Sequence, residues 1–195
     1  MKVCKVVFFL ALLIMVSRSS AGSRFALEFG AAGNGLAFSS EAPFSEGFTN
    51  RGAWGAGLLF AWSVSGDWQL QTGLRYSRLT YVYESDVWIG PPLRRGRMNV
   101  HMLALPLEFG YQFGNGYRVF GGLTAAMEVG DTSFRVLKEQ SGIGLGAGLV
   151  KWFETGGLRL FAGPYFQSYA VIPFENRGVR HHAMEFGVKF GAGIF

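Results

Sequence analysis

The chain has 195 residues, a formal charge of +5, 29 glycines, 19 phenylalanines and one cysteine. This length bounds a single domain, and glycine with aromatics at only 16% charged residues suits closely packed strands better than helices. One cysteine excludes an internal disulfide and a cysteine-based metal site.

The first element is a leader. Lys2 and Lys5 flank the start of an unbroken apolar run from Val6 to Val16, and Ser19 and Ala21 take the small-residue places of a cleavage site. That order is a secretory signal peptide. The run is too short to span a membrane as a helix, which takes about 20 residues. We expect residues 1–21 to be removed and residues 22–195 to form one outer-membrane β-barrel domain. Cys4 leaves with the leader, which also excludes thiol catalysis in the mature chain. Lys2, Lys5 and Arg18 leave too, so the formal charge falls from +5 to +2. The basic balance is therefore no argument for nucleic acid.

Eight strands follow, near 24–37, 51–64, 68–84, 100–113, 117–130, 141–153, 158–173 and 182–195. Tight turns at Ser65–Asp67, Gly114–Gly116 and Thr155–Gly156 alternate with longer connections at 38–50, 85–99, 131–140 and 174–181. Eight antiparallel strands with alternating short and long connections predict a transmembrane up-and-down β-barrel, with short periplasmic turns and longer extracellular loops.

Turn length tests the faces. An odd turn pairs residues of equal parity, and an even turn switches it. Phe113 should therefore pair with Tyr117, and the apolar phase of "HMLALPLEFGYQF" should continue as Val119, Leu123, Ala125, Met127 and Val129. It does. Ser65–Asp67 keeps Trp54, Leu58, Phe60 and Trp62 in phase with Leu70 and Leu74. Thr155–Gly156 switches Ile143, Leu145 and Leu149 to Leu158, Leu160 and Phe166. One continuous apolar surface requires this agreement.

The opposite face carries Glu28, Arg75, Glu108, Arg118, Glu128, Arg159, Glu185 and Lys189, with Gln69, Gln71, Gln112 and Gln167. Charges are almost never buried unless paired. The greasy face therefore meets lipid, and the polar face lines the lumen as a charge network. The apolar face has only Arg78 and Lys151, near strand ends, where long side chains reach the interface. Pro106 lacks a ladder donor and predicts a bulge or an unpaired carbonyl in the fourth strand. Gly142, Gly144, Gly146 and Gly148 all fall on the lumen face, and we expect them to make room for Phe161, Tyr165 and Tyr169 of the next strand. Trp54 and Trp62 lie eight residues apart on the lipid face, roughly 20 Å along the membrane normal, the separation of two aromatic girdles.

The fourth strand, "LALPLEFGYQF", the tight "GNGYRVFGG" turn, the leader, the eight strands and the terminal phenylalanine resemble the PorT-like outer-membrane barrels of Bacteroidetes. Pro106 and its flanking leucines, Leu105 and Leu107, carry the signature. The resemblance implies an eight-stranded outer-membrane barrel without assigned activity, in a family whose named member is linked to protein secretion. Phe195 departs from the pattern. It falls out of phase with Met184, Phe186, Val188, Phe190 and Ile194, so either a bulge lies in the "GAG" at 191–193 or Phe195 is a weak signal for the insertion machinery.

Function then reads as a membrane-anchored structural or interaction module in secretion or envelope integrity. Two other readings are a lipid-modifying enzyme and a narrow porin-like channel. No catalytic, cofactor-binding or metal motif stands out. His181 and His182 are adjacent and point to opposite faces, and His101 lies across the ring. Expected partners are outer-membrane lipid, lipopolysaccharide, the barrel-insertion machinery and an envelope or secretion protein. Arg94, Arg95 and Arg97 in the 85–99 connection are candidate lipopolysaccharide contacts, because arginine binds phosphate by two parallel hydrogen bonds. No cofactor and no nucleic acid are expected.

Overall fold

The computed structural model describes residues 23–38, 47–84, 95–130, 140–155, 158–174 and 181–194. The leader, the centres of the long connections and Phe195 lie outside them. Eight strands run β1 (Ser23–Phe38), β2 (Gly47–Ser65), β3 (Trp68–Glu84), β4 (Arg95–Phe113), β5 (Tyr117–Glu128), β6 (Gly142–Thr155), β7 (Leu158–Pro173) and β8 (His181–Ile194). Each pairs antiparallel with its sequence neighbour, and β8 returns to β1, closing the ring.

The short turns hold the expected faces. Phe113 pairs with Tyr117. Ser65 pairs with Trp68 across a two-residue turn, and a bulge between Ser63 and Ser65 restores the register in which Trp62 opposes Leu70. The even parity thus survives although the turn is one residue shorter than expected. Gly66 and Gly114 both sit at φ +53, a left-handed conformation that tight turns need and glycine adopts at no steric cost. Thr155 pairs with Leu158, one residue later than the sequence suggests but with the same switch of phase.

Leu58, Phe109, Leu123, Leu145, Phe186 and Val188 are all exposed on the outside. Glu28, Arg75, Glu108, Glu185 and Lys189 are sealed inside. A soluble barrel has the reverse distribution. Closure also satisfies every ladder group without an edge, which a strand protein in hydrocarbon requires. Aromatic rings collect at both ends of the outer wall. Trp68 contacts Tyr111 at 5.0 Å between ring centroids, and Phe113 contacts Tyr117 at 6.0 Å, at the short-turn end. Trp54 contacts Tyr76 at 5.6 Å toward the long-loop end.

Four local expectations are corrected. First, β2 and β4 begin at Gly47 and Arg95, so residues 47–50 and 95–99 are strand and not loop. Each stretch holds a single large apolar residue, Phe48 or Met98, too few for an alternating pattern to show. Second, Pro106 makes no bulge. The β3–β4 register is the same on both sides of it, Thr72 opposite Leu107 and Arg75 opposite Ala104. Its carbonyl instead accepts a 2.6 Å hydrogen bond from the Thr72 hydroxyl. Third, no bulge occurs at 191–193, where β8 keeps one register with β1 and with β7.

Fourth, the β6 glycines do not serve the rings of β7. A Cβ on Gly148 would lie 2.4 Å from Phe120 Cζ of β5, one on Gly146 2.8 Å from the Gln167 carboxamide, and one on Gly144 1.9 Å from the Ser168 carbonyl oxygen. The Phe161 ring takes its room from Gly191, where a Cβ would lie 2.5 Å away, and Tyr165 lies over Gly30 at 3.3 Å. Phe120 and Phe161 thus lie over the glycines directly paired with them on the adjacent strand, and Tyr165 reaches past β8 to β1. The register of β6 with β7 breaks between Ile143 and Leu145, and there Ala170 adopts φ +48.

Two measurements check this architecture. Detergent-solubilised protein should give a strand-dominated circular dichroism spectrum and migrate differently on gels with and without heating. Gly148→Ala should lower the unfolding free energy, read from urea titration of that folded band, by about 1–3 kcal/mol, the usual cost of overpacking. Gly121→Ala should not, since its Cβ would meet nothing closer than 3.6 Å. Equal effects of the two substitutions would show that lumen space is not limiting.

Candidate functional site

The lumen is filled in layers. Nearest the long connections it is apolar: Leu79, Tyr81, Met98, Val100, Met102 and Tyr169 pack as one cluster. Met98 lies in the stretch of β4 that its polar neighbours made look like loop, so the sequence showed only the polar part of the filling.

The middle layer is ionic and centres on Glu28. Its Oε1 accepts a 2.6 Å hydrogen bond from Arg75 Nε, and its Oε2 lies 3.0 Å from Lys189 Nζ. Glu108 joins less tightly, with Oε1 3.9 Å from Arg75 Nη2 and Oε2 accepting from Gln71 Nε2 at 3.3 Å. Glu185 accepts from the Tyr165 and Tyr169 hydroxyls at 2.8 and 2.6 Å. The Lys189 ammonium also rests 3.9 Å above the centroid of Phe120. Glu28 is 3% exposed, Arg75 4%, and Glu108, Glu185 and Lys189 1% each, so solvent does not screen these contacts.

Arg118 lies one layer toward the short turns. Its guanidinium donates to Gln69 Oε1 at 3.2 Å and to the Gln71 carboxamide oxygen, and it faces the rings of Phe120 and Trp152 at 5.6 and 5.9 Å. Below it a cavity of about 280 Å³ opens at the short-turn end, lined by Gln69, Gln112, Arg118, Trp152, Phe161 and others. Arg159 and Glu154 pair at its mouth, with 32% and 68% of their side chains exposed.

Three of the eight lumen charges thus stand apart from the middle layer: Arg118, Arg159 and Glu128. Arg159 pairs with Glu154, a residue the sequence did not single out. Glu128 sits at the opposite rim, where its carboxylate accepts from the Gln140 backbone N–H at 3.0 Å, while Gln140 Oε1 accepts from Ala183 N at 2.8 Å. These contacts brace β5, the start of β6 and β8. The tyrosine partners of Glu185 were visible only as rings, although Tyr165, Gln167 and Tyr169 share one phase of β7 and their hydroxyls follow from it.

Arg94 lies outside the described residues. Arg95 opposes Glu84 in the β3–β4 register, and Arg97 is exposed on the outer wall opposite Val82. His101 Nδ1 is 2.6 Å from the Tyr76 hydroxyl. His182 lies on β8, and the His181 side chain is outside the described set. Among the described residues no three potential ligands gather to hold a metal ion.

No protein-family profile and no characterised protein sequence matches the chain. Solved structures similar to it include the outer membrane protein OprG of Pseudomonas aeruginosa, at 13% identity and TM-score 0.48 over 89% of this chain and 96% of that one. The attachment invasion locus protein Ail of Yersinia pestis, in complex with the heparin analogue sucrose octasulfate, aligns at 11% identity and TM-score 0.48 over 89% and 99%. Neisserial surface protein A aligns at 15% identity and TM-score 0.46 over 89% and 98%.

The ionic layer generates a stability prediction. Glu28→Gln leaves both Arg75 and Lys189 without their shared carboxylate and should cost about 3–5 kcal/mol, the usual penalty for breaking a buried pair from one side. Glu108→Ala should cost less, because its ion pair is longer. Adding Lys189→Met to Glu28→Gln should recover part of the loss. Urea midpoints of the refolded barrel decide this, and indistinguishable Glu28→Gln and wild-type midpoints would mean a hydrated lumen.

Proposed function

We propose that this chain is an integral barrel of a Gram-negative outer membrane. It serves as an anchored structural or interaction module and not as a conduit or a catalyst. The observation that carries the reading is a lumen closed twice, by a buried ionic layer and by an apolar layer above it, within an exterior suited to lipid. Eight strands enclose space that side chains fill, and the cavity of about 280 Å³ at the short-turn end is a cup with packed side chains above it. Activity then belongs to the long connections and the outer wall. The likeness of the fourth strand to PorT-like barrels supports a place in secretion or envelope integrity, with an envelope protein as partner and delivery by the barrel-insertion machinery after export. Arg94, Arg95 and Arg97 would contact lipopolysaccharide phosphates.

Planar-bilayer recording tests the main claim. The purified barrel should add no stepwise conductance at either polarity, and reproducible ohmic steps would overturn it in favour of a channel. Release of acyl chains from labelled lipid A, abolished by substituting a single serine or histidine, would overturn it in favour of an enzyme. Replacing Arg94, Arg95 and Arg97 with glutamine should leave the barrel folded but reduce the lipopolysaccharide that co-purifies at low salt. Equal content in variant and wild type would remove the loop contact.

A further inference from the structure

The outer wall of β2, β3 and β4 carries cations that the lumen does not explain. Arg78 faces outward from β3, and in the register its neighbours are Trp54 of β2 and His101 of β4. Its Nε is buried and has no hydrogen-bond partner. Arg51 is exposed at the point where the β2–β3 register shifts, between Asn50 and Ala53, with Gly52 at φ +101. The residue across from that bulge is Thr80, which faces outward, so the bulge turns Arg51 onto the same wall. Arg97 is exposed on β4, opposite Val82. Among the described residues none of these three arginines enters an ion pair. Farther up, Glu84 pairs in register with a further arginine, Arg95.

Height matters as much as charge. Counting from Trp68 at the short-turn girdle, Arg78 lies ten residues up β3. At about 3.3 Å per residue and a tilt near 40° that is roughly 25 Å, the full height of a barrel's apolar band. Arg97 lies four residues beyond His101, which opposes Arg78, so it stands roughly 10 Å higher. The arginines therefore climb from the edge of the hydrocarbon through the head-group layer. Lys151, the cation of the opposite rim, is different: its ammonium lies over the rings of Tyr117 and Phe153 at 5.0 and 5.4 Å.

We propose that this wall is a binding site for a lipid bearing phosphate on its head group. Arg78 takes a phosphate at the hydrocarbon boundary, and Arg51 and Arg97 take anionic groups above it. A cationic N–H left without an acceptor beside hydrocarbon is costly, and a phosphate oxygen at that level is the natural acceptor. Arginine's planar fork suits it. The contact between Tyr76 and His101 Nδ1 holds the imidazole beside Arg78, and when the tyrosine is the donor the other ring nitrogen carries a proton and can donate to the same ligand. Trp54 supplies the amphipathic ring that interfaces favour. The proposal rests on the membrane-spanning part of the function proposed above and not on a closed lumen, and of the three arginines named there it uses Arg97 alone, so Arg78→Gln tests it separately.

Native mass spectrometry of the detergent-purified barrel tests it with lipids of defined head group. Dilauroyl phosphatidic acid, a phosphomonoester, should bind about tenfold more tightly than dilauroyl phosphatidylcholine, the zwitterionic control, as expected for a few charge-assisted hydrogen bonds. Arg78→Gln and the pair Arg51→Gln/Arg97→Gln should each lose about that factor, while Lys151→Gln should keep it. Neither set touches the lumen, so the heat-modified gel shift should stay as in wild type and report folding separately. Inorganic phosphate should not compete at equal concentration. Unchanged affinity in the arginine variants, an equal loss in Lys151→Gln, or full competition by inorganic phosphate would each overturn the proposal. Bilayer conductance is indifferent to all three outcomes, so the two readings fail separately.

Discussion

A ring of eight strands leaves an interior too narrow for bulk water, and every inward side chain must find its partner inside that ring. Glu28 shows the consequence. Two cations from β3 and β8 share its two oxygens, and no solvent shell is available to either if it leaves. Buried pairs of this kind add little stability over a well-packed apolar core, but they are severe when broken from one side. The network therefore acts as a specification. It tolerates one register of β1 with its neighbours, because a one-residue slip would carry Glu28 to the lipid face.

The same narrowness sets the pattern of glycines. Phe120 is paired with Gly148 across the β5–β6 seam, and its ring leans over a position where only a residue without Cβ leaves space. The Phe120 ring in turn supplies the π face beneath Lys189. Space, ring and charge are thus one arrangement. The outer half of the lumen is filled differently, by Leu79, Met98, Val100 and Met102. That apolar cluster lies toward the long connections, and at their rim Glu128 and Gln140 add the polar contacts that tie β5 and β6 to β8.

Most of the fold was legible because strand parity and turn length constrain each other. Three hairpins agreed in phase before any pairing was known, and the pairing keeps those phases. The lumen set was legible for the same reason, since alternation alone separates Glu108 from Phe109. What alternation cannot supply is the identity of partners. Glu28 meets Arg75 because of the stagger between strands, and Arg159 meets Glu154 because the mouth is a hairpin end. Stagger leaves no trace in one strand's composition. The extra strand length at Gly47–Asn50 and Arg95–Asn99 was missed for another reason: each stretch has one large apolar residue, Phe48 or Met98, and one is too few to announce a period. Arg78 was legible as a charge near a strand end, but its relation to Arg51 depends on a bulge that Gly52 does not announce.

The strands differ in length, 19 residues in β2 and β4 against 12 in β5 and 14 in β6. Among the described residues the wall is consequently uneven, lower along β5 and β6 and raised like a parapet along β2 and β4. A molecule moving within the leaflet meets mainly aliphatic side chains such as Leu123, Leu145 and Leu149 as it comes up against the low side. From the other direction it meets a standing sheet whose polar part begins where the acyl chains end. Such a protein has a front and a back in the plane of the membrane. Its neighbours are then sorted by the side from which they arrive, before any loop has touched them.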